Sequence, residues 1–328
     1  MKRWKPPQHI LGALTIFDGR SGARGVLLKL CIAASLLWMF GGTAGALDWP
    51  VAKKVLTATF GENRWNHFHD GIDIGGGNQQ VHPSADGEII FRFEEGSDSR
   101  DLPTGLGSFL VLQNTSEFRT LYAHFQKGTM ISDKTSVTTG DVLGIVGDTG
   151  DSLGSHLHFS VIDTKKGEYL NPLTLLPPLE DTQSPVISSV SLEQNKKSVA
   201  LGSPMSIPAG KTSLLATVYD PSQYVDYYNP MAPFEIDAAV NGQQLFKITY
   251  DRLKAKDGKM YLQPSDGRTF DNYYVATWQV RLGTFELKPG DARIVVTAHD
   301  FSGNESSRSY DLTVPAAESG SGATGAGG

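Results

Sequence analysis

The stretch GSHLHFSVI, residues 154–162, decides the fold of the first part of this sequence. It predicts a buried β-strand, in which residues i and i+2 point to the same face. The side chains of His156 and His158 would then project into one site, while Leu157 and Phe159 would pack on the opposite face. The glycines just before this strand predict turns that let the backbone approach a ligand or a neighbouring strand (Gly147, Gly150 and Gly154).

A second segment, HDGID at residues 69–73, places a histidine and an aspartate four positions apart. Gly71 and the run of three glycines at 75–77 argue against a helix, so we expect a short strand over residues 71–74 with His69 at its entrance. Two imidazoles and one carboxylate are a common catalytic zinc set that leaves a fourth coordination position for water. The two segments together predict a metal site.

A third segment, LYAH at residues 121–124, carries another histidine on an apolar strand. His124 supplies an imidazole that could move a proton or stabilise an oxyanion beside the metal. His67, His82 and His299 are expected to be surface or structural residues, with substrate contact by His67 or His82 left open. Tyr122 is expected either to line the site or to lie in the core.

These segments resemble the LytM/lysostaphin-type zinc metallopeptidases, the peptidoglycan endopeptidase family with a duplicated-hybrid-motif-like β fold. The resemblance runs from about residue 55 to about residue 176. Its motifs are FHDGIDI (68–74), TLYAH (120–124), GIVGDTG (144–150) and HLHF (156–159). Weaker features are FG at 60–61 with Arg64, ADGEII at 85–90 and YLNP at 169–172.

The resemblance implies a role for each matching position. His69, Asp73 and His158 would bind one Zn²⁺ per chain. His124 and His156 would be catalytic, one as general base or proton shuttle and the other as hydrogen-bond donor to the oxyanion, with the division between them left open. The implied activity is hydrolysis of amide bonds in peptidoglycan stem peptides or cross-links by a zinc metalloendopeptidase.

The pattern of short strands and turns predicts an all-β protein of two domains. A mostly antiparallel β peptidase domain (47–176) would be followed by a linker (177–185) and an immunoglobulin-like or fibronectin-like β-sandwich (186–315). The tail, 316–328, is rich in Gly, Ser and Ala and predicts disorder. The polar, glycine-rich loop 94–107 is expected to wall one side of a substrate groove.

The first 46 residues predict a cleaved signal peptide, and hence an exported protein of the periplasm, cell envelope or extracellular space. Basic residues precede an apolar run at 30–40, too short for a membrane span, and small residues (Ala44, Ala46) follow at a cleavage site. Cleavage would remove Cys31, the single cysteine, and leave a net charge of −11, with 23 basic and 34 acidic residues. The acidic balance argues against nucleic acid and anionic membrane as partners.

Two alternatives to the peptidoglycan endopeptidase remain open. The first is a zinc-stabilised regulatory module that activates another cell-wall hydrolase, with the predicted sandwich contacting a protein partner. Intact residues at all five site positions argue against it. The second is a metallopeptidase that cleaves proteins rather than wall peptides.

Overall fold

The computed structural model describes residues 47–96, 105–203, 206–221, 230–264 and 267–316. The predicted signal peptide lies outside the described residues. So do most of the predicted groove loop and all but the first residue of the predicted disordered tail. In the described parts of the chain, no helix is long and apolar enough to cross a membrane. Nearly all regular structure in these parts is antiparallel β-strand.

The N-terminal half, residues 47–176, is called the peptidase half after the sequence-based prediction. Its described residues form ten strands and one short 3₁₀ helix. The strands are β1 (Val55–Ala58), β2 (Ile72–Gly75), β3 (Gln80–Val81), β4 (Gly87–Phe93), β5 (Phe109–Gln113), β6 (Phe118–Ala123), β7 (Ser136–Val137), β8 (Gly144–Ile145), β9 (His156–Asp163) and β10 (Glu168–Leu170). Asn171 caps the N-terminus of the 3₁₀ helix, Pro172–Thr174, and its side chain accepts a hydrogen bond from the Leu173 amide.

The strand expected at residues 156–162 is confirmed as β9, and it organises the sheet. β9 pairs with β6 along one edge, and with β2 and then β10 along the other. Leu157, Phe159 and Val161 are fully buried, as period-two alternation requires. The register sets Asp73 directly opposite His158, so the backbone ladder itself brings two of the predicted ligands together.

The C-terminal half is also built of strands. They are β11 (Val186–Gln194), β12 (Lys197–Ala200), β13 (Gly210–Tyr219), β14 (Glu235–Val240), β15 (Gln243–Thr249), β16 (Arg252–Lys256), β17 (Lys259–Gln263), β18 (Gln279–Leu287), β19 (Gly290–His299) and β20 (Glu305–Val314). Two four-stranded sheets, β12-β11-β13-β18 and β15-β14-β19-β20, contribute to one hydrophobic core. The immunoglobulin-like or fibronectin-like class stays a prediction.

The sequence predicts a strand over residues 274–280, and the start of that prediction is wrong. Residues Phe270–Tyr273 form a single helical turn, α1, whose Thr269 amide donates to Asn272 Oδ1 at 2.8 Å. Tyr273 and Tyr274 lie against the ring of Phe68 from the peptidase half. The aromatic side chains at the start of this stretch therefore serve a cluster rather than strand alternation, and the strand β18 begins only at Gln279.

The hairpin β16–β17 joins the sheet of the peptidase half, although its sequence belongs to the C-terminal half. β16 pairs with β10, which extends the sheet to ten strands. Asp257 and Gly258 form its turn with positive φ angles of 51° and 72°, as a two-residue hairpin turn requires. The two halves therefore share a backbone hydrogen-bond ladder as well as side-chain contacts.

Aromatic packing fixes the two halves to each other next to the predicted metal site. Phe68, the residue before His69, lies 5.6 Å from the Phe270 ring. Tyr274 donates from its hydroxyl to the Gly61 carbonyl at 2.8 Å. Gly61 has no space for a side chain, since a Cβ there would lie 2.3 Å from Tyr250. The C-terminal half thus supports the segment that leads into His69.

We expect a chain ending at residue 183 to lose cooperative folding. Phe60 and Phe68 would become exposed, at a cost of roughly 1.5–3 kcal/mol each, and β10 would become an open sheet edge. Thermal unfolding followed by circular dichroism checks this. A chain ending at residue 316 is the matched control and should melt like the full chain. A sharp, unchanged transition in the short chain would show that the peptidase half folds alone.

Candidate metal centre

Three side chains converge at the junction of β2 and β9. Nε2 of His69 lies 3.0 Å from Oδ1 of Asp73 and 3.0 Å from Nδ1 of His158, and the last two atoms are 3.1 Å apart. All three residues are buried. Separations of this size suit the ligands of one zinc ion, whose bonds to histidine nitrogen and carboxylate oxygen are about 2.0–2.2 Å long. The donor set therefore fits zinc.

The ring of His69 is oriented by a backbone carbonyl. Its Nδ1 lies 2.8 Å from the carbonyl oxygen of Thr59, which can only accept a hydrogen bond. Nδ1 therefore carries the proton and Nε2 keeps the free lone pair that a metal needs. Burial lowers the pKa of His69, which also favours the neutral, ligating form.

His158 would bind the metal through its Nδ1, the nitrogen that lies beside His69 and Asp73. Its Nε2 lies 2.9 Å from Ser160 Oγ and 3.3 Å from Asp70 Oδ1. A carboxylate behind a ligating imidazole fixes the tautomer and raises the basicity of the ligand. Asp70 therefore orients His158. The motif HDGID contains Asp70, but this role was not predicted because its partner lies 88 residues further along the chain.

The carboxylates set the charge state of the metal-free centre. Burial alone would lower the pKa of His158, but hydrogen bonds to Asp70 and Asp73, together with their charges, raise it to about 9. Burial would raise the pKa of Asp73, yet His69, His158 and Arg64 hold it well below its usual value. At neutral pH the free site therefore holds a proton on His158, and a metal must displace it.

Arg64 holds the second oxygen of Asp73. Its Nη2 lies 2.5 Å from Asp73 Oδ2, which leaves Oδ1 directed at the two histidines. Glu62 lies 3.7 Å from the same guanidinium and accepts from the Thr59 amide at 2.6 Å. Burial raises the pKa of Glu62 to about 7 despite Arg64. Glu62 and Thr59 were not predicted, because only the folded chain brings them beside His69.

Two further imidazoles flank the three donors. His124 Nδ1 lies 2.7 Å from the Thr149 carbonyl, and His156 Nδ1 lies 2.7 Å from the Gly154 carbonyl. Each ring therefore keeps Nε2 as an acceptor, and Nε2 of His156 is 3.7 Å from Asp73 Oδ1. The two ring centroids are 4.6 Å apart. The structure thus brings all five predicted positions together.

The backbone at His124 is held in an unusual conformation. Its φ angle is 62°, in the left-handed region that few residues other than glycine adopt. His124 directly follows the end of β6 at Ala123. Its ring lies against the rings of His156 and His158. The strain is compensated by backbone bonds from the His124 amide to Leu106 and from the Gly147 amide to the His124 carbonyl.

Comparison with known proteins identifies this centre. The model of peptidase family M23 matches residues 67–172, which contain the three donors and both flanking histidines. Residues 67–172 are an M23 metallopeptidase domain. A second family model, which carries no functional description, matches residues 184–315.

Each of two curated relatives matches only part of this chain. DD-carboxypeptidase/endopeptidase Mpg of Neisseria meningitidis serogroup B is 34% identical over 119 residues, which is 36% of this chain and 25% of the relative. An uncharacterized metalloprotease of Haemophilus influenzae is 34% identical over 74 residues, 23% of this chain and 15% of the relative. The matched part is thus a quarter or less of each relative's length.

Solved structures also match only part of this chain. A zinc-containing peptidase from Vibrio cholerae is 27% identical, with a TM-score of 0.30, and the match covers 35% of this chain and 36% of that one. The catalytic domain of lysostaphin from Staphylococcus simulans is 21% identical, with a TM-score of 0.30 and coverage of 36% and 88%.

The other predicted residues lie away from the centre of the M23 domain or at its rim. Tyr122 is a core residue, fully buried against Phe159, and its hydroxyl accepts from the Ser84 amide at 2.8 Å. His82 is structural and bonds the Asp141 carbonyl. His299 lies in the C-terminal half, 3.8 Å from Glu305. His67 is exposed, and substrate contact by His67 stays a prediction.

We expect Asp70→Ala to weaken zinc binding about 10–100-fold, the usual effect of losing a carboxylate behind a ligating histidine. The physical reason is that His158 loses the acceptor that fixes its Nε2 proton. Competition against a chromogenic chelator measures the affinity. Asp148→Ala removes an exposed carboxylate of the same domain and serves as control. Equal affinity in both variants would contradict the role given to Asp70.

Proposed function

We propose that this chain is an exported zinc-dependent endopeptidase that hydrolyses amide bonds in peptidoglycan stem peptides or cross-links. The observation that carries the proposal is the convergence of five side chains. Three donors suited to one Zn²⁺ lie beside two imidazoles that both keep a free Nε2. The name of the Neisseria relative, a DD-carboxypeptidase/endopeptidase, supports the substrate class.

His69, Asp73 and His158 would hold the zinc ion. When bound, zinc supplies a Lewis acid that polarises the scissile carbonyl and acidifies the attacking water. A site made only of nitrogen and oxygen donors suits an oxidising envelope compartment, because it needs no thiolate.

His124 and His156 would handle the protons of the reaction. Burial, followed by the charges of His156 and His158, lowers the pKa of His124 to about 4, so its imidazole is neutral at neutral pH. Its free Nε2 can then accept a proton from the attacking water and pass it to the leaving amine. His156, once protonated, can donate a hydrogen bond to the developing oxyanion.

The product of the reaction tests the proposal directly. Purified, zinc-loaded protein is incubated with isolated sacculi, and the released muropeptides are analysed by mass spectrometry. New free peptide ends are expected with the unchanged chain and not with His156→Ala. The masses of those ends identify the bond that is cleaved.

Two outcomes would redirect the proposal. Zinc-dependent cleavage of a glycine-rich protein with sacculi left intact would indicate a peptidase for proteins. Bound zinc without release of any product, together with activation of a second wall hydrolase, would favour the regulatory module. In that case the C-terminal half would be the expected contact for the protein partner.

Export is part of the same proposal and has its own test. We expect the mature chain to begin at Leu47, after removal of the basic and apolar segment that precedes it. N-terminal sequencing of the protein recovered from the envelope fraction measures this. An intact N-terminus at Met1 in that fraction would contradict cleavage.

A further inference from the structure

Three carboxylates meet at the junction of the two halves, far from the M23 centre in sequence. We call this group the junction carboxylate cluster: Asp181 in the linker, Asp220 just after β13 and Asp300 just after β19. Each offers an oxygen within 4.8 Å of the oxygens of the other two. Asp220 is 5% exposed and Asp300 is 3% exposed. Buried carboxylates at this spacing repel one another unless a proton or a cation intervenes.

One oxygen of the cluster has no hydrogen-bond partner among the residues that the structure describes. It is Oδ1 of Asp220, which is buried. Buried polar atoms in folded proteins are nearly always paired, so an unpaired oxygen on a carboxylate that lies beside two other carboxylates indicates a ligand the chain does not supply. Within the described residues, no Lys, Arg or His forms an ion pair with any of the three.

The charge state of the cluster also favours a bound cation. Burial, and then the charges of Asp300 and Asp181, raise the pKa of Asp220 to about 8. Burial also raises the pKa of Asp181. The fold thus holds these groups where their negative charge is unfavourable without a cation, and a cation would relieve that cost.

Hydrogen bonds hold the cluster in place. Asp300 Oδ1 accepts from the Asn304 amide at 2.9 Å, and Asp300 Oδ2 accepts from Asn304 Nδ2 at 2.7 Å. Asn304 Nδ2 also donates to the Asp181 carbonyl at 3.0 Å. Each carboxylate oxygen has two lone pairs, so Asp300 can still bind a cation. The β19–β20 turn and the linker are therefore bound to each other before any ion enters.

We infer that the junction carboxylate cluster is a Ca²⁺ site. Three carboxylates are hard oxygen donors, which favours Ca²⁺ or Mg²⁺ over zinc or copper. Ca²⁺ accepts irregular sets of six to eight oxygens, whereas Mg²⁺ demands a near-ideal octahedron. Ligands from three separate segments suit the less demanding ion, with waters and carbonyl oxygens completing its shell.

The ion would tie the linker to the C-terminal half beside the peptidase half. A cavity at this place is lined by Asp181 and Asp220, by Met231 and by Leu56 and Thr59. Thr59 Oγ1 donates to the Ala232 carbonyl at 2.9 Å, and the Thr59 carbonyl orients His69. Ca²⁺ would thus order the chain beside Thr59, whose carbonyl orients the ligand His69, without contacting the metal centre itself.

The test uses the zinc-loaded full chain freed of calcium. Isothermal titration calorimetry with CaCl₂ should show one site, with a dissociation constant of about 10⁻⁴–10⁻³ M, the range of extracellular calcium modules. At saturating CaCl₂ the melting temperature should rise by about 3–8 °C. MgCl₂ at the same concentration should give a smaller rise.

Three variants decide the location of the site. Asp220→Asn keeps the shape of the side chain and should lose the calcium shift, while its calcium-free form melts no lower than the unchanged chain. Asp181→Asn should weaken calcium at least about tenfold and serves if Asp220→Asn fails to fold. Asp237→Asn, in the partly exposed group formed with Glu235 and His299, is the control and should keep the full shift.

The inference is overturned by any of three results. The first is that the unchanged chain shows neither heat of binding nor a melting shift with CaCl₂. The second is that Asp220→Asn and Asp181→Asn both bind calcium as tightly as the unchanged chain. The third is that Asp237→Asn, rather than the cluster variants, abolishes binding. None of these readouts depends on peptidase activity.

Discussion

Changing Asp73 to alanine should abolish both metal binding and peptidase activity. Asp73 supplies one of the three metal-binding atoms, and its loss leaves only His69 and His158 as donors, with the positive guanidinium of Arg64 beside them. Metal catalysis contributes several kcal/mol, so turnover should fall by at least about 10³-fold. Zinc content, measured by atomic emission on the purified protein, should fall from one per chain to near zero.

The Asp73 result needs a control for charge and for folding. Asp133→Ala removes an exposed carboxylate from the same domain and should keep both zinc and activity. Far-ultraviolet circular dichroism of the two variants should be the same, because Asp73 lies in a strand whose backbone bonds do not depend on its side chain. An Asp73→Ala protein that still held one zinc would show that the ligand set is wrong.

Changing His124 to alanine should separate metal binding from turnover. His124 is outside the group of three donors, and its Nδ1 is engaged by the Thr149 carbonyl. Zinc content should stay at one per chain, while kcat falls about 10²–10⁴-fold, the usual contribution of a positioned general base. KM should change little if His124 acts on protons rather than on binding.

His82→Ala is the matched control for His124→Ala. His82 bonds the Asp141 carbonyl in the same domain, so its loss should leave kcat unchanged. The double variant of His124 and His156 should be no worse than the poorer single variant if the two rings act as one unit. A His124→Ala enzyme with near wild-type kcat would remove His124 from the mechanism.

The local part of the site could be predicted from sequence because strand periodicity determines it. His156 and His158 lie two apart on β9, and Asp73 lies on β2, so alternation and pairing bring their side chains to one place. Thr59, Glu62 and the role of Asp70 could not be predicted. Their effect comes from hydrogen bonds to residues whose positions only the folded backbone sets.

The C-terminal half shows a second limit of prediction from sequence, which is the pairing of distant segments. Asp257-Gly258 marks a hairpin, yet no pattern in the sequence of β16 indicates that this strand pairs with β10, more than 80 residues earlier. The strand predicted over residues 274–280 begins only at Gln279, because Tyr274 packs in an aromatic cluster with Phe270 and Tyr273. Asp181, Asp220 and Asp300 each resemble a turn residue, and only folding brings them together.

The hairpin that lies beside β10 also bears on how this gene can change. A recombination event that transferred only the catalytic segment to another protein would separate β10 from the strand that completes its edge. The new host would then have to supply a substitute strand and a substitute for the aromatic contacts on Phe68. We therefore expect the two halves to be inherited together, as one unit of selection.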